Sequence, residues 1–284
     1  MSSDTGFVGR YGPWALVAGA SDGVGAAFAR ALAERGLDVV LLARRQALLD
    51  EVAAAIRADT GVDTRAVAID LSAPGAMAKI VAANAGLEIG MLMYCAGADP
   101  NYEPFLASPV EAALAMVQRN CALPMQLCHH FAGPMKARGR GGIVLLSSGA
   151  ALVGAPNMVA YAASKAFDLV MAEALWAELH DEGVDVLGLV LGLTDTPALR
   201  RLLARRGNLA SEGDTTPIPG ASTPAEVVAD AMANLANGPT WFVGEQLRAA
   251  APQLGALPRG DAVRLMIQMG SSAMGAKHGD ERRR

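Results

Sequence analysis

The stretch that most limits what this chain can become runs from Ala15 to Arg44. It opens with an apolar run, Ala15 to Ala18, of strand length. A turn carrying Gly19, Gly23 and Gly25 follows, and then a helical pattern with Phe28, Leu32 and Ala33 on one stripe and Arg30, Glu34 and Arg35 on the other. Gly36 ends that pattern, and a second apolar run, Val39 to Leu42, begins. A strand, helix and strand in about 30 residues is the size of a dinucleotide-binding βαβ unit. The glycines suit that role. A pyrophosphate has to approach the main chain at a helix N-terminus, where free N–H groups and the helix dipole favour an anion. Side chains at Gly19, Gly23 and Gly25 would obstruct the turn, the ligand or the helix–strand packing.

The second run ends in Ala43-Arg44-Arg45, with no carboxylate to bond a ribose 2′-hydroxyl. Two guanidinium groups suit a 2′-phosphate by bidentate pairing. NADP(H) is therefore the preferred cofactor, with Arg44 the nearer contact, Arg45 beside it, and NAD(H) possible. Asp22 adds a negative charge close to where the phosphates would lie.

Further along, strands and helices alternate. Helices are expected over Gln46–Asp59, Pro74–Ala85, Val110–Ala137 and Asn157–His180. Strands are expected over Thr64–Ile69, Met91–Cys95, Ile143–Leu146, Val184–Leu191 and Trp241–Val243. This pattern predicts an α/β fold: one doubly wound parallel sheet, helices on both faces, ligands at the strands' C-terminal ends. The whole chain, 1–284, reads as one domain with its core at about 14–244 and an extension over 245–284. Residues 197–221 read as an irregular lid. Thr223-Pro224-Ala225-Glu226 restarts helix with an N-cap, a proline at the first position and a capping-box glutamate. A last helix is expected over Asp261–Met269, with Met266 and Met269 on it.

Composition narrows the classes. A net charge of −4 argues against a nucleic-acid surface, and the one dense basic run is the tail Arg282–Arg284. No uninterrupted apolar stretch reaches 18 residues, so no membrane span is expected. The polar start, Met-Ser-Ser-Asp-Thr-Gly, lacks a signal peptide's apolar core. Cys95, Cys121 and Cys128 fit neither a zinc nor a C-x-x-C pattern and read as reduced thiols of a cytoplasmic protein. The adjacent His129 and His130 point in different directions on a helix and read as polar surface.

The second strong signal is Tyr161-Ala162-Ala163-Ser164-Lys165. Tyr161 and Lys165, i and i+4, share a helix face. An ammonium beside a phenol favours the phenolate and lowers the tyrosine pKa from its ordinary value near ~10, giving a proton donor or acceptor for neutral pH. Ser148, at a predicted strand end, lies 13 residues before Tyr161 and could share a reacting oxygen with it.

Together these residues resemble the short-chain dehydrogenase/reductase family over about Trp14 to Gly244. The family's Thr-Gly-x-x-x-Gly-x-Gly stands here as Ala18-Gly19-Ala20-Ser21-Asp22-Gly23-Val24-Gly25. Its strand-end aspartate matches Asp70, followed by Leu71, and its helix asparagine matches Asn120. Its serine matches Ser148, its Tyr-x-x-x-Lys matches Tyr161 and Lys165, and its Pro-Gly-x-x-x-Thr matches Leu191-Gly192-Leu193-Thr194-Asp195-Thr196. Tyr11-Gly12-Pro13-Trp14-Ala15-Leu16-Val17 with Ser21-Asp22-Gly23 is similar to NADPH-dependent hydroxysteroid dehydrogenases and 3-oxoacyl reductases.

The resemblance implies a Rossmann-type fold and hydride transfer between a nicotinamide and a carbonyl carbon. Tyr161 is the implied general acid/base and Ser148 the implied bond to the substrate oxygen. Lys165 is implied to tune Tyr161 and hold the ribose, and Asn120 to support a water in a proton relay. Gly19, Ser21, Asp22, Gly23, Val24, Gly25, Arg44, Arg45, Asp70, Leu71, Ala96, Gly97, Gly192, Thr194 and Thr196 are the expected cofactor contacts, with Tyr161 and Lys165. Three departures bear on cofactor affinity and loop rigidity: Ala18 for threonine, Tyr94-Cys95 for Asn-Asn, and Leu191 for proline. The helix over 157–180 is apolar almost all round, which implies a homodimer or homotetramer. Leu152, Val153, Met158 and Leu199 suggest a small hydrophobic ketone or secondary alcohol as substrate. A cofactor-sensing regulator on the same fold without turnover is the alternative. An epimerase or dehydratase fits neither the glycine spacing nor the length.

Overall fold

The computed structural model describes residues 5–274, with side chains to Met269; the basic tail Arg282–Arg284 and the first four residues lie outside the described residues. Strands β1 (Trp14–Ala18), β2 (Asp38–Ala43), β3 (Thr64–Ala68), β4 (Ile89–Tyr94), β5 (Gly141–Ser148), β6 (Val184–Leu191) and β7 (Thr240–Phe242) form one sheet. Its order is β3-β2-β1-β4-β5-β6-β7, and every pairing is parallel. The helices are α1 (Thr5–Tyr11), α2 (Gly23–Glu34), α3 (Gln46–Thr60), α4 (Ala76–Ala83), α5 (Val110–Val117), α6 (Leu123–Arg138), α7 (Val159–Leu179), α8 (Pro197–Arg205), α9 (Pro224–Ala233), α10 (Glu245–Ala256) and α11 (Arg259–Met274).

A parallel sheet needs cover on both faces, so its strands read as continuous apolar runs rather than alternations. Both covers are present. Ala15, Val17, Val39 and Leu41 pack on one side with Phe28 and Leu32 of α2, Leu49 and Ile56 of α3, and Val227 of α9. Leu16, Val40, Leu42 and Leu92 pack on the other with Ile80 of α4, Leu127 and Met135 of α6, and Ala172 of α7. The strand order reverses direction between β1 and β4, and that switch point opens a crevice at the C-terminal ends.

Four elements differ from the sequence expectation. The helix expected over Val110–Ala137 is interrupted by a π-helical segment, Gln118–Ala122. Pro124 has no N–H to give the carbonyl four residues back, that of Asn120, so the α ladder loses a rung there. The 197–221 stretch is not wholly irregular: Thr196 caps α8 through Leu199 N, with Pro197 opening the helix. Finally, α1 and α10 were not expected; α1 is pinned by Arg10 and Tyr11, whose side chains both bond the Asp185 carboxylate at 2.6 Å.

Candidate active site

The glycine turn is tied to the end of β2, with the Gly19 and Ala20 amides donating to the Leu42 carbonyl at 2.8 and 3.1 Å. Gly25 permits the closest approach: a Cβ there would stand 2.1 Å from the Gly19 carbonyl oxygen, a backbone atom that cannot step aside. Asp22 stands at the N-cap of α2 but makes no side-chain capping bond. Its carboxylate pairs instead with Arg45 at 2.5 Å and Arg201 at 3.5 Å. Arg45 also donates to Ser21 Oγ at 3.2 Å. The negative charge of Asp22 is thereby offset, and the first-turn amides of α2 have no carboxylate bonded to them. The turn fits a pyrophosphate on these grounds: N–H groups at a helix start, and space that a Cβ would fill.

Arg45 is thus engaged by the turn. Arg44, next to it, is exposed and makes no hydrogen bond or ion pair among the described residues. Asp70 accepts from Ser72 N at 2.9 Å and Ser72 Oγ at 2.6 Å, and those bonds, with the nearby charges of Arg44 and Arg119, hold its carboxyl below the ordinary range. Leu71 is buried beneath it. Thr196 faces the turn from across the crevice, its Cβ 3.3 Å from the point a Gly23 Cβ would occupy. Thr194 donates to the Gly192 carbonyl, and the 193–195 backbone is clipped to Ser222 by bonds of 2.9 and 2.8 Å.

The catalytic candidates gather at the ends of β4 and β5. Successive strand residues face opposite ways, which separates the Ser147-Ser148 pair. Ser147 is buried and donates to the Lys165 carbonyl at 2.7 Å, riveting β5 to α7. Ser148 is half-buried and accepts from Ala150 N at 3.2 Å. On α7 the residues Tyr161, Ser164, Lys165 and Asp168 form one stripe. Lys165 is buried, its ammonium donating to the Leu146 carbonyl at 2.7 Å and to Asp168 Oδ2 at 3.0 Å. Asn120, fully buried in the π segment, donates to the Gly97 carbonyl at 3.2 Å and to Ser164 Oγ at 2.9 Å. Ser164 in turn donates to the Tyr161 carbonyl at 2.8 Å. Gly97, at φ +130°, lies against both groups: a Cβ there would be 2.9 Å from Lys165 Nζ and 3.1 Å from Asn120 Oδ1. One hydrogen-bonded set therefore joins β4, the π segment and α7.

Tyr161 borders a cleft of about 100 Å³ whose walls include Asp99, Phe105, Met116, Arg119 and Met158. Met158 also packs on Tyr102 and Leu202 of α8, so the 197–221 stretch closes one side. Val153 does not line the cleft; it is buried against Leu254 and Ala262, with Met266 packed on the same cluster. Leu247 of α10 comes within 3.3 Å of a Cβ position on Gly149, so the C-terminal extension shores up the site. The cysteines are all free, and burial pushes Cys95 and Cys128 up to about 12 and Cys121 up to about 11, far from nucleophilic.

Sequence reasoning did not single out Ser164, Arg119, Tyr94 or Asp168 as site residues. Arg119 donates to Asn120 Oδ1 at 3.1 Å and to the Ala98 carbonyl at 3.1 Å. The available signal for Ser164 and Asp168 was their helical spacing from Tyr161 and Lys165.

Comparison with known proteins gives the family and the fold. A family model described as short chain dehydrogenase matches residues 13–207. The chain is 31% identical over 262 residues to a 7beta-hydroxysteroid dehydrogenase of Clostridium sardiniense, covering 92% of this chain and 96% of that one. A solved 7beta-hydroxysteroid dehydrogenase superposes with a TM-score of 0.83 at 31% identity, covering 92% of this chain and 98% of that chain. A short-chain dehydrogenase from Sphingobium yanoikuyae in complex with NADPH gives 0.72 at 27% identity, covering 96% and 100%.

Proposed function

The chain is an oxidoreductase belonging to the short-chain dehydrogenase family, and from that premise we propose that it interconverts a hydrophobic ketone and its secondary alcohol with NADP(H), Tyr161 acting as general acid/base. The observation that carries the reading is the bonded chain from Gly97 through Asn120 and Ser164 to the Tyr161 carbonyl, with the buried Lys165 one turn further along the same face of α7, held by Leu146 and Asp168. The alternative of a cofactor sensor without turnover has no such use for a bonded set of this kind.

The nicotinamide, when bound, supplies or accepts the hydride. The amides of the turn and the start of α2 hold the pyrophosphate, Arg44 meets the 2′-phosphate, and Arg45 keeps Asp22 from opposing it. Gly192, Thr194 and Thr196 flank the crevice on the β6 side, and Asp70, Leu71, Ala96 and Gly97 on the other. In the reductive direction Tyr161 gives its proton to the carbonyl oxygen and Ser148 donates a hydrogen bond to that oxygen. The Lys165 ammonium stabilises the phenolate left behind. Asn120, anchored to Gly97 and Ser164, keeps α7 at a fixed distance from β4.

A hydrophobic substrate suits the apolar share of the cleft, Phe105, Met116 and Met158. The relatives that are 7beta-hydroxysteroid dehydrogenases support a steroid-sized ketone. The outer faces of α5 and α7 expose Leu114, Val117, Phe167 and Val170, which supports burial against a second copy in a homodimer or homotetramer; sedimentation of a single monomeric species would count against it. Among the described residues no helix is long and apolar enough to cross a membrane. Free thiols fit a reducing compartment such as the cytoplasm.

The test is Tyr161→Phe against wild type with NADPH and a panel of bulky ketones. The expected result is a loss of about 10²- to 10⁴-fold in kcat with NADPH binding retained. Absence of turnover in wild type, or full activity in the variant, overturns the reading. Tighter binding of NADH than NADPH overturns the cofactor choice.

A further inference from the structure

The one strongly buried carboxylate on the catalytic stripe, Asp168, has no part in the chemistry above. It is 1% exposed, in the second turn beyond Tyr161, and its Oδ2 takes the Lys165 ammonium at 3.0 Å. Its Oδ1 is equally buried and has no hydrogen-bond partner among the described residues. Burying a carboxylate is costly, and one with half its acceptors idle is a poor device for holding a fold together. A neutral side chain of the same size would pack there at lower cost. The charge is therefore best explained by what it does to Lys165.

The surroundings narrow that effect. The titratable groups facing Asp168 are Tyr94 on β4, Cys121 in the π segment, Cys128 on α6, and Lys165 on its own helix. Of these only Lys165 is a cation, and Arg119 acts on Tyr94 rather than on the carboxylate. Burial pushes the Asp168 carboxyl above its ordinary range, against which the Lys165 charge and hydrogen bond pull it down. The titratable groups acting on Lys165 are equally few: Asp168, and the thiols of Cys95 and Cys121, which burial keeps protonated.

We propose that Asp168 is a positioning residue for proton transfer: it holds the Lys165 ammonium from behind and sets how much positive charge reaches the Tyr161 phenol. The proposal rests on the reading of Tyr161 as general acid/base. With the carboxylate in place the ammonium is partly offset, and the phenol keeps its proton to higher pH. With a neutral residue the full ammonium charge acts on Tyr161, and the phenolate forms at lower pH. Seven helical residues separate the two groups by about 10 Å along the axis. At an effective dielectric near 20, one charge at that range moves a titration by roughly one pH unit.

The four tyrosines make this measurable without a substrate. Burial pushes Tyr11, Tyr94 and Tyr102 upward, so their phenolate absorbance appears late in an alkaline titration. The difference between wild type and Tyr161→Phe isolates the Tyr161 ionisation. In Asp168→Asn that ionisation should move down by about one pH unit, and the acidic limb of the kcat/KM profile for alcohol oxidation should move with it. Asp168→Glu, which keeps the charge, should stay near wild type. Asp168→Ser carries the same expectation as Asp168→Asn and replaces it if circular dichroism shows that variant unfolded. A folded neutral variant whose phenol titrates with wild type overturns the proposal, whatever its effect on stability. A shifted titration in a protein that turns over no ketone would leave the electrostatic role standing and sink the proposed function instead.

Discussion

Gly97→Ala adds one methyl group at the point where β4, the π segment and α7 converge, and its cost divides into two parts. The first is conformational. A φ of +130° lies where side-chain-bearing residues rarely go, and holding one there costs roughly 1–3 kcal/mol. For a chain of this size that lowers the melting temperature by about 2–5 °C. The second part is positional. The new Cβ stands 2.9 Å from Lys165 Nζ and 3.1 Å from Asn120 Oδ1, about half an ångström inside an ordinary contact of ~3.3–3.6 Å. Gly97 lies three residues past the end of β4, just after the bond of the Cys95 amide to the Ala18 carbonyl, and the side chains give way before that backbone does. Lys165 then stretches its bonds to Leu146 and Asp168, and Asn120 its bond to Ser164. A shift approaching ~1 Å in a catalytic group costs on the order of 10²-fold in rate. Thermal unfolding reads the first part and steady-state kcat/KM the second, while NADPH titration checks that the crevice still binds. A variant with unchanged melting and unchanged kcat/KM would refute the packing argument, because it would mean the methyl group has room. A fall in stability alone would confine the effect to the backbone.

Arg44→Ala should weaken NADPH binding by about 10- to 150-fold, the worth of a charge-assisted contact of ~1.5–3 kcal/mol, and leave NADH binding unchanged; fluorescence titration of both nucleotides measures it. Asp230 accepts from Trp241 Nε1 at 3.0 Å, Gly244 N at 3.1 Å and Arg248 at 2.8 Å, linking α9, β7 and α10. Burial raises its carboxyl, but those bonds more than offset it and hold it below the ordinary range. A depressed carboxyl contributes stability above its unfolded value near ~3.9 and loses it as pH falls through the folded value. Tryptophan fluorescence should therefore report loosening around Trp241 below about pH 4 in wild type, and a smaller acid dependence in Asp230→Asn.

The parts of the fold that are legible in sequence are those with strong local signals. Apolar runs with no polar alternation mark β1, β2, β5 and β6 because both sheet faces are covered. The glycine triplet marks the turn because Gly25 meets the Gly19 carbonyl at a distance only glycine allows. The less legible parts depend on contacts between distant residues. Helix α1 is one short stretch of seven residues carrying two glycines, with only Tyr11 fully buried, and its anchor is Asp185, 174 residues away from Tyr11. The break at Asn120 is written in Pro124, but a long apolar pattern masks it. The cap that opens α8, Thr196-Pro197, has the same signature as Thr223-Pro224, yet the polar residues after it favour a loop reading. For the site, Tyr161 and Lys165 are legible from spacing. What Lys165 bonds to is not, because the Leu146 carbonyl reaches it from another strand.

The departures from the family pattern make sense once the packing is known. Ala18 is fully buried at the end of β1, and the turn it precedes is fastened by the Gly19 and Ala20 amides to Leu42. No side-chain hydroxyl is needed for that. Tyr94 stands where the family carries an amide, and it is also buried, its phenol donating to the Arg119 carbonyl. Arg119 is the residue before Asn120, so Tyr94 braces the π segment from the β4 side while Ser164 braces it from α7. Arg119 completes the brace with its own side chain on Asn120 Oδ1. The phenol thus fastens the backbone of the residue that precedes Asn120. The same exchange adds a large, fully buried ring within electrostatic reach of Asp168, so that carboxylate sits in drier surroundings. In drier surroundings a charge such as that of Asp168 acts with more force on its neighbours.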